Sequence, residues 1–411
     1  MRLSRGVGCA RHLCSGAPVR PGASTWRSPI TKTLWETRER LANDGKGATE
    51  QQVVLLTKTP SASTTRVLYD FDTNAHMRER YLNPFGTVRI GTIFEDMDAL
   101  AGNCAFMHAD DDNPATLAPI LVTASVDRIS LDRPIKLDAP LELVGKAVWA
   151  GRSSMRIRME AQQGGEPAMS AFFTFVARDA FTGKATPVNK LRPETAEEVV
   201  YFEEGEALTL RRKQQRSQSA EQALEASQAR ASREAKLLRN SAAHLQLPCL
   251  AGSDSILMAQ TAISNAFLCQ PQQRNTAGRI FGGFLMRRAF ELAISNCYLF
   301  AGSVPAFEAI EHVSFRAPVE VGALLRLHSS VVLTQPHLPC PLVTIDVIAD
   351  VAHPEKRSSV NSNTFTFTFR LSRAEMERTG NVLVKKVLPS NGEEAKRQLE
   401  VIELLGCNDE A

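Results

Sequence analysis

At 411 residues, 43% of them apolar, the chain is long enough for two cored domains, and no run of 18 or more apolar positions offers a membrane-spanning helix. A formal net charge of +3, part of it carried by the extreme N-terminus, gives no case for nucleic acid as the main partner. The eight cysteines (9, 14, 104, 249, 269, 297, 340, 407) form no Cys-x-x-Cys pair and no regular spacing, which argues against a zinc site or a disulfide framework and for buried, reduced thiols.

In chain order, residues 1–35 carry Arg2, Arg5, Arg11, Arg20, Arg27 and Lys32 among Ser, Thr and Ala, with no acid before Glu36 and no continuous apolar core. That is the composition of a mitochondrial transit peptide rather than a secretory signal. Residues 36–80 read as a polar lead-in, with a helical start spanning 34–41. The first domain, 81–180, opens with Asn83-Pro-Phe-Gly-Thr-Val-Arg-Ile-Gly91, after which Ile93, Met97, Leu100, Ala101, Cys104 and Ala105 recur at helical spacing. An amphipathic helix therefore opens from a glycine turn, and β-type segments follow at 120–126, 141–149, 155–159 and 171–176.

Residues 181–254 are rich in charge, Gln, Ala and Ser and read as a linker with solvated helix. Its basic group, Arg211, Arg212, Lys213 and Arg216, offers a nucleic-acid patch as the sharper reading, but it is diluted by Glu203, Glu204 and Glu206 and has no interleaved aromatics, which favours the linker. The second domain, 255–375, then repeats the first: Asn275-Thr-Ala-Gly-Arg-Ile-Phe-Gly-Gly283 opens a helix carrying Leu285, Ala289, Leu292, Ala293 and Cys297. Strand segments with period-two alternation follow at 311–315, 324–332, 343–348 and 364–369, and 376–411 is a tail. The pairs Asn83/Asn275, Gly86/Gly278, Gly91/Gly283, Leu100/Leu292 and Ala101/Ala293 share one offset of 192 residues, and Thr174-Phe175 matches Thr366-Phe367 at the same offset. One helix followed by antiparallel strands, twice, is a duplicated α+β unit in which a curved sheet wraps a helix.

The order Asn-x-x-Gly-x-hydrophobic-x-Gly-Gly-helix, followed by Val122-Thr-Ala-Ser-Val-Asp-Arg-Ile-x-Leu-x-x-Pro134, resembles acyl-coenzyme A thioesterases of the double hotdog family. With the presequence, residues 86–98 and 279–293 look most like its mitochondrial acyl-coenzyme A thioesterase 9 type. The resemblance covers roughly 70–180 and 255–375. It implies a tandem (double) hotdog, hydrolysis of acyl-coenzyme A to free fatty acid and coenzyme A in the mitochondrial matrix, and a homo-oligomer built as a trimer of double-hotdog chains. It implies no metal or redox cofactor; coenzyme A enters as part of the substrate.

In that family a composite site joins the glycine loop of one hotdog unit to the central helix of the other. The helix acid lies seven residues after the second glycine, which is Asp98 in the first copy and Phe290 in the second. On a helical wheel Asp98 lies at the edge of the Met97/Ala101 stripe, whereas Glu95 and Glu291 are turned away from theirs. The expected productive site therefore pairs Asp98 with the loop 275–283, and the other site lacks an acid.

A thioester needs a positioned water, a base and donors for the oxyanion. Asp98 is the candidate base, and the backbone N–H groups of Gly282 and Gly283 at the helix mouth are the candidate donors. Asn275 either orients the water or stabilises the Asn-x-x-Gly turn. Asp98 has a blander reading as a solvated first-turns carboxylate, and the glycines as packing residues. Relatives often have Asp or Asn where this chain has Thr87 and Arg279; Arg279 is expected to bind a phosphate of coenzyme A or to pair with Asp98. Arg152 and Ser153, with Ser154, at the turn 149–155 are further candidates for that phosphate, with Arg316 a weaker one. His108 and His312 lie outside the repeated motif and read as structural. Two rival functions are a non-catalytic acyl-coenzyme A binding module and a hotdog enoyl-coenzyme A hydratase or dehydratase, the latter needing a loop or helix histidine that neither glycine loop carries.

Overall fold

Alternate apolar residues on five strands, set against one long helix, build each half of this chain. The computed structural model describes residues 50–407 apart from 53, 114, 180, 217–219, 276–277 and 381–382; the transit-peptide segment 1–35 and the helical start at 34–41 lie outside the described residues. The chain divides into two compact units. Of the described residues, the first holds those up to 209 with 269–287 and 318–322; the second holds 210–268, 288–317 and those from 323 onward.

In the first unit the main strands of the sheet are β1 (Thr65–Tyr69), β2 (Ile120–Val126), β3 (Leu141–Ala150), β4 (Ser154–Gln163) and β5 (Glu166–Arg178), and the short strand Ile129–Leu131 also pairs with β5. The main strands are ordered β2-β5-β4-β3-β1, and every pairing is antiparallel. Period-two alternation turns Leu141, Leu143, Met155, Ile157, Met159, Ala171 and Phe173 to one face, where all are fully buried. Against that face runs α2 (Ile90–Ala109), which follows a short helix α1 (Ala75–Tyr81) capped by the Asn74 side chain accepting from Met77 N–H. The approach is close: a Cβ on Gly145 of β3 would stand 2.8 Å from Cys104 Sγ of α2.

Every residue of α2 from Gly91 to Ala105 is buried, its acids included. Glu95, which the helical wheel turns away from the apolar stripe, is therefore buried as well. The sheet covers one side of α2, and β1, α1 and the glycine segment within 269–287 contribute cover to the rest.

The outer face of this sheet carries α3 (Ala196–Arg216), the first half of the charged linker. Trp149 Nε1 donates to Glu206 at 2.8 Å, Lys146 pairs with Glu198 at 3.2 Å, and the Arg158 guanidinium lies 4.2 Å from the Tyr201 ring centroid. A Cβ on Gly205 would meet Trp149 at 2.4 Å. So this part of the linker is helical, as read, but its inner face is seated on the sheet rather than solvated; its acids find the basic residues that the strands point outward.

The second unit repeats the plan with β6 (Ile263–Leu268), β7 (Ala306–Phe315), β8 (Leu324–Gln335), β9 (Leu342–His353) and β10 (Ser358–Arg370), ordered β6-β8-β9-β10-β7 and antiparallel throughout. Helices α4 (Ala220–Asn240) and α6 (Gly392–Leu405) also belong to it, joined by Arg230 and Arg233 with Glu400 and Glu403. The remaining long helix, α5 (Gly282–Ala301), begins in the first unit and passes into the second after Arg287. Phe290 of α5 lies edge-on to Phe307 and Phe367, with centroids 5.6 and 5.8 Å away. This is an α+β tandem hotdog, each unit a long helix with an antiparallel sheet of five main strands.

Candidate active site

The two Asn-x-x-Gly turns are built alike. Asn83 Oδ1 accepts from the Phe85 and Thr87 N–H groups, and Asn275 Oδ1 accepts from the Arg279 N–H at 3.1 Å. The glycine three residues on adopts φ +78° at Gly86 and +80° at Gly278, a left-handed conformation that glycine takes without a Cβ penalty. After the second turn, Ile280 N–H donates to Val319 O and Phe281 N–H to Gln273 O, which delivers Gly282 and Gly283 to the mouth of α5.

That mouth meets α2. Gly283 N–H donates to Asp98 Oδ2 at 2.7 Å, a contact between residues 185 apart in sequence. The other oxygen, Oδ1, accepts from Thr123 Oγ1 on β2 at 3.3 Å. Asp98 is 2% exposed, so it is no solvated helix carboxylate. A first-turn N–H has no intrahelical partner and carries the positive end of the helix dipole, so it is a favourable donor for a carboxylate.

Glu95 lies one turn earlier on α2 and is 7% exposed, although the wheel turned it away from the apolar stripe. Its Oε2 is 3.0 Å from Arg287 Nε on α5. Between those side chains the backbones nearly touch: a Cβ on Gly283 would lie 2.8 Å from Glu95 Cα and 3.0 Å from Glu95 O. Asp96, fully buried, accepts from Tyr69 Oη at 2.9 Å and Tyr81 Oη at 2.5 Å. Burial, and then the charge of Asp96, hold the Tyr69 phenol well above its ordinary value, so it remains a donor.

Each expected site residue has a place in this geometry. Asp98 and Gly283 come together. Gly283 is needed for packing, and its N–H is occupied by the carboxylate; Gly282, the first helical residue, is the neighbouring donor position. Asn275 is engaged in its own turn. Arg279 does not pair with Asp98: its Nε is 3.3 Å from Glu320 Oε1, and the two residues form a β-bridge. Backbone alternation explains this, since Ile280 next to it turns into the core. Thr87 Oγ1 accepts from Asn83 Nδ2 within its own turn.

Arg152 and Ser153 form the β3–β4 turn, their carbonyls accepting from Val188 and Ala177 N–H groups, and the Arg152 side chain is exposed. The strand register aligns Ser154 with Val176 and Val176 with Val122, the neighbour of Thr123. The turn thus lies two strand spacings, or roughly 10 Å, across the sheet from the Val122–Thr123 segment, whose Thr123 hydroxyl touches Asp98.

In the second copy, Phe290 takes the acid position and is 5% exposed within its aromatic cluster, while Glu291 pairs with Arg288 at 3.0 Å. Sequence reasoning missed Thr123 and Arg287. Thr123 sat inside the motif Val122-Thr-Ala-Ser-Val as an unassigned polar residue; Arg287 had no spacing signal at all, because its partner is on another helix. His108 is buried, with Nε2 2.9 Å from Asn189 O, and burial, reinforced by Lys58, pushes it down to about 4 against the pull of that hydrogen bond.

A family model described as Thioesterase superfamily matches residues 85–169. Acyl-coenzyme A thioesterase 2, chloroplastic, of Humulus lupulus is 46% identical, covering 96% of this chain and 93% of that protein. Acyl-coenzyme A thioesterase 4, mitochondrial, of the same plant is 42% identical, covering 94% and 76%. The human acyl-coenzyme A thioesterase 9, mitochondrial, is 34% identical, covering 75% and 71%. With identity of this extent running through both copies of the repeat, the chain belongs to the acyl-coenzyme A thioesterase family, hydrolases of the hotdog fold.

Proposed function

We propose that this chain hydrolyses acyl-coenzyme A thioesters with Asp98 as the general base, at a site that joins α2 to the glycine loop of the second copy. The observation that carries this reading is the 2.7 Å hydrogen bond from Gly283 N–H to the buried Asp98 carboxylate. It fixes one carboxylate oxygen at a helix N-terminus, and the Thr123 hydroxyl orients the other.

A water beside Asp98 gives its proton to the carboxylate as its oxygen attacks the thioester carbonyl, which has little resonance protection. The resulting oxyanion takes the Gly282 N–H and the positive end of α5, while Gly283 N–H holds the base. Collapse breaks the C–S bond. The thiolate of coenzyme A leaves, takes the proton back from Asp98, and the fatty acid is released. Arg152, with Ser153, supplies a phosphate contact for coenzyme A, and Arg279 a second one if it exchanges Glu320 for the ligand. The composition of residues 1–35 supports import into the mitochondrion, with the matrix as destination.

The test is release of free coenzyme A thiol from short to long acyl-coenzyme A esters by the wild-type chain and by Asp98→Asn, an isosteric change that keeps the Gly283 and Thr123 contacts possible. The expected outcome is a fall in kcat of about 10²-fold or more with coenzyme A binding retained. Full turnover by Asp98→Asn would move the chemistry to Asn83, Asn275 or Glu291, and no turnover by the wild-type chain on any ester would leave the binding-module reading.

A further inference from the structure

Three acids fall within four positions of α2, and two of them, Glu95 and Asp98, stand three residues apart on one face, with Cβ atoms about 5–6 Å from each other by helix geometry. Both are buried. Two anions that close in a poorly solvated setting oppose each other's ionisation, and a base must be ionised to accept a proton. A cation stands against Glu95: Arg287 Nε, 3.0 Å from Glu95 Oε2 and one helical turn beyond the Gly283 N–H that holds Asp98.

The other groups that the structure sets around Asp98 are acids, phenols, a hydroxyl and apolar side chains. On α2 itself stand Glu95 and Asp96, and Asp96 is occupied by two phenols, Tyr69 from β1 and Tyr81 from α1. From β2 comes the neutral Thr123 hydroxyl. The inward faces of β1, β3, β4 and β5 present Thr65, Val67 and Tyr69; Leu141, Leu143 and Gly145; Met155, Ile157 and Met159; and Ala171, Phe173 and Phe175. The remaining thiol on α2, Cys104, is pushed up to about 12 by burial and stays neutral.

We propose that Arg287, acting through Glu95, is a positioning residue for Asp98: it neutralises the acid one turn away and clamps the start of α5, with its Gly283 N–H, onto α2. This inference rests on the reading of Asp98 as the base. Gly283 makes the clamp possible, because any Cβ there would separate the two backbones that the ion pair draws together.

The test is the pH profile of kcat/KM for the full chain and for Arg287→Gln, Glu95→Gln and the double variant, with thermal melts to confirm folding and Asp98→Asn as control. Arg287→Gln leaves Glu95 uncompensated and is expected to move the acid limb up by about one pH unit, a roughly tenfold loss of kcat/KM on that limb that recovers at higher pH. Glu95→Gln leaves the cation uncompensated and moves the limb down. The double variant returns it to the wild-type position. Where Arg287→Gln fails to fold, Glu95→Gln and the double variant carry the same test. Limbs that stay in place in every folded variant, whatever the loss in kcat, overturn the inference. Wild-type turnover by Asp98→Asn would instead sink the base reading itself, so the two failures are told apart.

Discussion

Glu95, Asp96 and Asp98 show how little a residue's neighbours in sequence decide about its chemistry. Within one turn of α2 they meet a guanidinium, two phenols, and a backbone N–H with a hydroxyl. The motif position pointed to Asp98, whose Oδ2 accepts from Gly283 N–H, but the helical wheel turned Glu95 outward on the assumption that the far side of the helix meets water. His108, at the other end of α2, has a testable signature. It is neutral in the fold because its value is pushed down to about 4, below the unfolded value near 6.5, so its contribution is complete above pH 6.5 and is lost as pH falls through that window toward 4. At pH 5 the loss amounts to about 2 kcal/mol. Denaturant unfolding followed by Trp149 fluorescence, on protein lacking residues 1–35, at pH 7.5 and pH 5, is expected to show this difference in the wild type and much less of it in His108→Asn; equal pH dependence in both would refute it.

At the scale of elements, the duplicated helices have diverged in kind. In α2 the position seven after the second glycine is a buried carboxylate; in α5 it is Phe290, fitted among Phe307, Phe367 and Phe369. A phenyl ring cannot accept a proton, so turnover is expected from one site per chain. A non-hydrolysable acyl-coenzyme A thioether, titrated against the initial rate, should extinguish activity at one equivalent per chain, and a requirement for two would show that the second copy also catalyses. The helix α3 makes a related point. Its charge reads as solvent exposure in the sequence, because composition cannot report that Arg158 and Lys146 wait on the outer face of a sheet.

For the molecule as a whole, the basic, acid-free composition of residues 1–35 and the repeat were both open to inspection in the sequence. Fused to a fluorescent reporter, residues 1–35 are expected to direct it to mitochondria, and replacing Arg2, Arg5, Arg11, Arg20 and Arg27 by Gln should leave it in the cytosol; a plastid signal, or no change on replacement, would refute that destination. The sequence by itself determined the duplication, the order of helix and strands in each copy and the kinship with acyl-coenzyme A thioesterases, and it offered Asp98 as a candidate, because periodicity and motif spacing are local properties that a single chain displays. Tertiary structure alone decided what holds that acid: the Gly283 N–H from 185 residues away, the Thr123 hydroxyl, and the Arg287 cation that compensates Glu95. Those contacts depend on how tightly two helix backbones approach, and packing at that distance leaves no period in the sequence to read.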